Sequence, residues 1–218
     1  MKKYPLLVLL TVVIHYVSFA QEAVPFENEI KAFEEQDRSA SPPQNVILFT
    51  GSSSIKLWQT LQADFPDKKV LNRGFGGSKL PDVIYFADRV TVPYKPKQIV
   101  IYAGENDVAS GTVTAQEVRD RFVTLFTKIR KSLPKTPIVF ISMKPSPSRR
   151  KFLPITMEAN DLIKNYIAKQ KQAQYLDIYT PMLDANGQIR GELFRADSLH
   201  MSPKGYEIWT AKLKPLLK

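Results

Sequence analysis

Gln98-Ile99-Val100-Ile101-Tyr102-Ala103-Gly104-Glu105-Asn106-Asp107 sets an unbroken apolar run directly before a glycine and three polar residues. A strand with one wet face alternates apolar and polar side chains, whereas Ile99 to Ala103 is apolar at both parities and so reads as buried on both faces. Two buried faces imply a parallel sheet lying under helices. The runs Val46 to Phe49, a short Lys69 to Leu71, Ile138 to Ser142 and Tyr175 to Ile178 read the same way.

The stretches between these runs carry helical signals. Thr114-Ala115-Gln116-Glu117 is a capping box, and Val118, Phe122, Leu125, Ile129 and Leu133 follow on one face until Pro134 stops the helix. Further helices are expected from about Phe26 to Ser39, from about Ile155 to Ala173, and after Ser202 as cap with Pro203 in the first turn. Strands alternating with helices predict an α/β chain, a three-layer αβα sandwich around a central parallel sheet of about five strands. In such a sheet the ligand site lies beyond the carboxyl ends of the strands.

Composition narrows the chemistry. Lys2 and Lys3 precede an apolar run, Leu6 to Ala20, that ends in small residues; it reads as a signal peptide cut after Ala20. The run is interrupted by His15 and Tyr16 and is short for a spanning helix, so no stable membrane anchor is expected. Residues 21–218 are expected to form one domain, exported to the periplasm or outside the cell. There is no Cys, which removes disulfides, thiolate metal sites and cysteine nucleophiles together. Of the two histidines, His15 leaves with the signal segment, so His200 alone remains and a multi-histidine metal site is excluded. The net charge of +10 is spread singly along helix faces, with Arg149-Arg150-Lys151 the densest cluster. No nucleic-acid motif accompanies it, and no nucleic-acid partner is expected.

The polar residues after the strands can be tested against the carboxyl-end rule. Gly51-Ser52-Ser53-Ser54 follows the first run, Asn72-Arg73-Gly74-Phe75-Gly76-Gly77 the second, and Gly104-Glu105-Asn106-Asp107 the third; Asp197-Ser198-Leu199-His200 precedes the last helix. Each alone has an ordinary use as a turn or a cap. Together they hold a serine in a strand-to-helix turn, a glycine loop and an Asn that can donate hydrogen bonds, and an Asp three residues before a His. Those are the parts of a serine acyl-transfer site.

The four blocks make the chain resemble the SGNH hydrolase superfamily, the GDSL-like lipases and acylhydrolases, over nearly its whole length after the signal segment. The resemblance implies a flavodoxin-like fold and assigns the nucleophile to Ser53, the oxyanion donors to Gly77 and Asn106, and the acid-base pair to Asp197 and His200. Ser52 stands where the family usually has Asp, and the Gly-Ser-Ser-Ser form is similar to the platelet-activating-factor acetylhydrolase branch.

The expected activity is ester hydrolysis through a Ser53 acyl-enzyme, without metal or organic cofactor, acting on a small-molecule or carbohydrate ester. A small acyl group, acetyl above all, on exported carbohydrate is favoured because no lid-like insertion is visible. A short-chain lipid esterase or lysophospholipase is the alternative, and a non-catalytic carbohydrate-binding protein on the same fold stands further off. Trp58, Phe75 and Tyr102 are expected in the core ahead of the pocket wall. Met143 to Arg149 is expected to be a Pro-rich loop, with lining of the cleft as its other use.

Overall fold

The computed structural model describes residues 24–218; the signal-peptide reading falls outside them. The apolar runs form one parallel sheet of β1 (Ile47–Gly51), β2 (Val70–Gly74), β3 (Gln98–Tyr102), β4 (Ile138–Ile141) and β5 (Ala173–Leu176). Its order is β2-β1-β3-β4-β5, the flavodoxin-like winding. Gly51 pairs with both Gly74 and Tyr102, so three strands end level, and the segments that follow them converge on one edge.

The helices are α1 (Glu27–Ser39), α2 (Ser53–Lys56), α3 (Leu61–Asp64), α4 (Leu80–Val90), α5 (Glu105–Ala109), α6 (Ala115–Ser132), α7 (Leu153–Ile167) and α8 (Pro203–Leu213). Successive strand residues point to opposite faces, and both faces are covered. Ile99, Ile101 and Phe140 pack against α4, α6 and α7 through Phe86, Phe122 and Ile163. Phe49, Val100 and Tyr102 pack against α2 and α8 through Ile55 and Trp209. This is the three-layer αβα sandwich that the continuous runs predict. Each large apolar side chain so buried contributes about 1.5–3 kcal/mol.

The caps behave as their sequences direct. Thr114 Oγ1 accepts the Glu117 N–H at 3.2 Å while Glu117 accepts the Thr114 N–H at 2.7 Å, opening α6. The Ser202 hydroxyl accepts the Gly205 N–H at 3.4 Å, with Pro203 first in α8.

Two boundaries differ from expectation. The helix expected to reach Ala173 stops at Ile167, and Gln172 turns the chain through a left-handed φ of 55° straight into β5. Its polar tail, Lys169-Gln170-Lys171-Gln172, has good helix formers but nothing apolar to bury, so intrinsic preference loses to the demand for a fifth strand. β2 runs on to Gly74 because Asn72 and Arg73 pair with Phe49 and Thr50.

One glycine fixes how β1 meets the site. Gly51 has a φ of 127°, and a Cβ there would lie 1.9 Å from the Tyr102 carbonyl oxygen. Gly51→Ala is therefore expected to destabilise the protein by about 3 kcal/mol or more, read as a lower urea midpoint. An alanine variant as stable as the parent would contradict this packing.

Candidate active site

Ser53 follows β1 by two residues and is the first residue of α2, with Ser52 extended before it. That sharp turn sorts the three serines. Ser52 and Ser54 are 3% and 2% exposed, whereas Ser53 is partly exposed and opens onto the edge of the sheet.

The segment before α8 brings an imidazole and a carboxylate to Ser53. His200 Nε2 lies 3.2 Å from Ser53 Oγ, and His200 Nδ1 lies 2.7 Å from Asp197 Oδ2. The other Asp197 oxygen accepts the backbone N–H groups of Leu199 and His200, both at 2.9 Å. The intervening Ser198 adopts a left-handed φ of 56°, the turn that lets Asp197 and His200 face each other three residues apart. The hydrogen bond from the His200 ring, reinforced by the two N–H groups, holds the Asp197 carboxyl down to about 2. Asp197 is thus a carboxylate throughout the neutral range, able to orient the imidazole with its free nitrogen towards Ser53.

Gly77 and Asn106 come to the same place. A pocket of about 430 Å³ is lined by Ser53, Gly77, Asn106 and His200 together with Lys56 and Arg149, with Leu57 and Leu199 as its apolar walls. Gly77 takes a left-handed φ of 78° with nothing near an added Cβ, so the glycine serves backbone direction, not space. Among the described residues the backbone N–H groups of Ser53 and Gly77 have no hydrogen-bond partner. Asn106 Nδ2 donates to the Ser78 carbonyl at 2.9 Å, which leaves its second amide hydrogen available. All five residues singled out from the sequence are therefore brought together.

Trp58, Phe75 and Tyr102 are core residues, at 1%, 0% and 0% exposure, as favoured. The Met143–Arg149 segment takes the use that was not favoured. Lys144 and Ser146 are buried, and Arg149 reaches the pocket, donating from Nη2 to Asn106 Oδ1 at 2.7 Å.

Sequence reasoning missed the role of Glu105. Its buried carboxylate takes bonds of 2.5 Å from Tyr102 Oη, Lys144 Nζ and Ser146 Oγ. Burial works against its charge, but Lys144 and Arg149 outweigh that and hold the carboxyl below its usual range. Burial, with the Glu105 charge, pushes the Tyr102 phenol up, so Tyr102 stays a donor. The one signal for this cluster is Glu105's place in a post-strand block. Asp107, the last residue of that block, serves the scaffold by accepting from the Leu80 N–H and from Arg121. Among the described residues, no group of three or more His, Asp or Glu side chains could hold a metal ion.

A doubly wound sheet that gathers a serine hydroxyl, an imidazole–carboxylate pair and unpaired amide donors at its carboxyl edge has the framework of a carboxylic ester hydrolase. The chain belongs to the GDSL-like lipase/acylhydrolase family, whose model matches residues 48–208, and is a carboxylic ester hydrolase. The resemblance read from the four blocks holds at the level of the family.

Solved structures share the fold. A candidate platelet activating factor from Streptococcus pneumonia superposes with a TM-score of 0.76 at 21% identity, over 88% of this chain and 92% of that one. A GDSL-like lipase from Bacteroides thetaiotaomicron gives 0.72 at 20% identity, over 86% and 96%. A mutant of an acetyl-xylooligosaccharide esterase from Geobacillus Stearmophilus gives 0.62 at 15% identity, over 79% and 94%. No curated protein matches the chain in sequence.

Proposed function

We propose that this chain is an exported esterase that removes small acyl groups, acetyl above all, from carbohydrate through a Ser53 acyl-enzyme. The observation that carries the reading is the run of contacts from Ser53 Oγ to His200 Nε2 at 3.2 Å and from His200 Nδ1 to Asp197 at 2.7 Å. Both lie within or near the reach that proton transfer requires.

His200, oriented by Asp197, takes the Ser53 proton as the oxygen attacks the ester carbonyl. The carbonyl oxygen becomes an oxyanion, met by the Ser53 and Gly77 backbone N–H groups and the Asn106 amide. His200 then gives the proton to the departing alcohol. Water, deprotonated by His200, attacks the acyl-enzyme and frees Ser53 with release of the carboxylic acid.

The small-acyl reading is supported by what borders the pocket. A neighbouring groove of about 560 Å³, walled in part by Phe33, Leu61 and Val70, would suit a longer chain. Lys56 lines both spaces and is fixed to Glu29 at 2.6 Å, so a chain running from one to the other must pass a charged pair. The fold shared with an acetyl-xylooligosaccharide esterase favours a carbohydrate ester. The basic, apolar leader ending at Ala20 favours export.

Purified protein without the leader is expected to turn over p-nitrophenyl acetate about two- to fivefold faster than the octanoate, as displacing a partly exposed charged pair from a chain's path costs up to about 1 kcal/mol. Acetylated xylo-oligosaccharides should release acetate in the same assay. A preference for octanoate and longer chains would overturn the small-acyl reading.

A further inference from the structure

Arg149 lines the pocket but has no part in the acyl-transfer scheme, and its contacts are specific. A carboxamide can flip and present oxygen or nitrogen with nearly the same shape. Arg149 offers only donors, so Asn106 Oδ1 must face it, and the Ser78 carbonyl only accepts, so Asn106 Nδ2 must face that side. Both partners impose one orientation, the one that leaves an amide N–H for an oxyanion.

Arg149 is in turn aimed from below. Glu105 Oε1 lies 3.5 Å from Arg149 Nη1, and the Glu105 side chain is 6% exposed. Tyr102, Lys144 and Ser146 fill its other lone-pair directions, and Lys144 Nζ also donates to Ser146 Oγ at 2.8 Å. A buried Lys–Glu pair contributes little net stability. What this one supplies is a carboxylate that cannot turn away from the guanidinium. Lys144 and Arg149 against Glu105 also leave one unit of positive charge beside the place where negative charge develops. The same segment touches the base: the Ser148 N–H donates to the carbonyl of Ser198, between Asp197 and His200, at 3.0 Å.

We propose that Arg149 is a positioning residue that locks the Asn106 carboxamide as an oxyanion donor, with Glu105 and Lys144 as its buried anchor. The proposal rests on the reading of Ser53 and Asn106 given above.

Removing an oxyanion donor outright costs about 100- to 1,000-fold in kcat, so releasing one to flip should cost less. Arg149→Met is expected to lower kcat for p-nitrophenyl acetate by about tenfold to a hundredfold, with KM changed by less than about threefold. Arg149→Lys should fall between, since one ammonium can reach Asn106 but cannot also keep the fork to Glu105. In an Asn106→Ala background Arg149→Met should cost no more than about a further twofold, because its effect runs through the missing amide.

Unchanged kcat in Arg149→Met, a rise in KM alone, or losses that multiply in the double variant would each overturn the proposal. If Arg149→Met fails to reach the parent's melting temperature, Arg149→Lys carries the same kcat-against-KM test. Ser53→Ala is assayed alongside: turnover surviving there would remove the acyl-enzyme reading itself, whereas a silent Ser53→Ala with an unaffected Arg149→Met would remove only the positioning role.

Discussion

Ser53→Ala is expected to lower turnover of p-nitrophenyl acetate by about 10,000-fold or more, with the fold and the melting temperature intact. Removing the attacking oxygen leaves only what the oxyanion donors and binding contribute, and triad residues act as a unit, so the loss is of the size seen when a whole triad is removed. The other two serines serve as controls. Ser52 and Ser54 are 3% and 2% exposed, and among the described residues neither hydroxyl lies within hydrogen-bond reach of His200. A fluorophosphonate probe should label the parent, Ser52→Ala and Ser54→Ala, and fail on Ser53→Ala. Labelling that persists in Ser53→Ala but vanishes in Ser54→Ala would move the nucleophile by one residue. The position of Ser52, where the family usually carries Asp, has a physical reading. Its N–H donates to the Tyr102 carbonyl at 2.9 Å, which fixes the turn through the backbone with no side-chain carboxylate.

What was legible in the sequence and what was not divide along sequence distance. The strands were legible because burial on both faces leaves a local mark, an apolar run such as Ile99 to Ala103. Ser53, Gly77 and Asn106 were legible because chemistry at the carboxyl edge must sit within a few residues of a strand end, and Asp197 and His200 because they stand three residues apart just before the last helix. The extension of β2 was not legible. Arg73 lies buried in that strand only because Tyr94 accepts from its Nε at 2.6 Å and Asp37 from its Nη2 at 2.5 Å, and neither partner is near it in the chain. The Glu105–Lys144–Arg149 cluster was hidden for the same reason. A lysine two residues before a serine reads as surface until the fold brings a carboxylate from beyond β3 against it. α4 did carry a local mark, with Leu80, Val83, Phe86, Ala87 and Val90 on one face and Pro81 in the first turn, and the sequence reading passed over it.

Activity is expected to rise with pH through a single ionisation and to vanish as that group protonates. His200 must be neutral at Nε2 to accept the Ser53 proton, so the protonated form is inactive and the rising limb has a slope of one. The groups around it do not compete in the acid range. Asp197 is held at about 2 by the hydrogen bond from His200 and by two backbone N–H groups, so it remains a carboxylate at every pH above roughly 4. Glu105 is held below its usual range by Lys144 and Arg149 despite its burial. His200 carries the only imidazole among the described residues. Asp197→Asn is expected to cost about a hundredfold, less than a fully buried orienting carboxylate would, because the Asp197 side chain is 47% exposed and water screens its charge. His200→Ala should lose about 10,000-fold and take the acid limb with it, leaving a residual rate first order in hydroxide. A profile flat from pH 5 to 9 in the parent, or a His200→Ala variant that keeps both rate and acid limb, would remove the imidazole from the mechanism and with it the role assigned to Asp197.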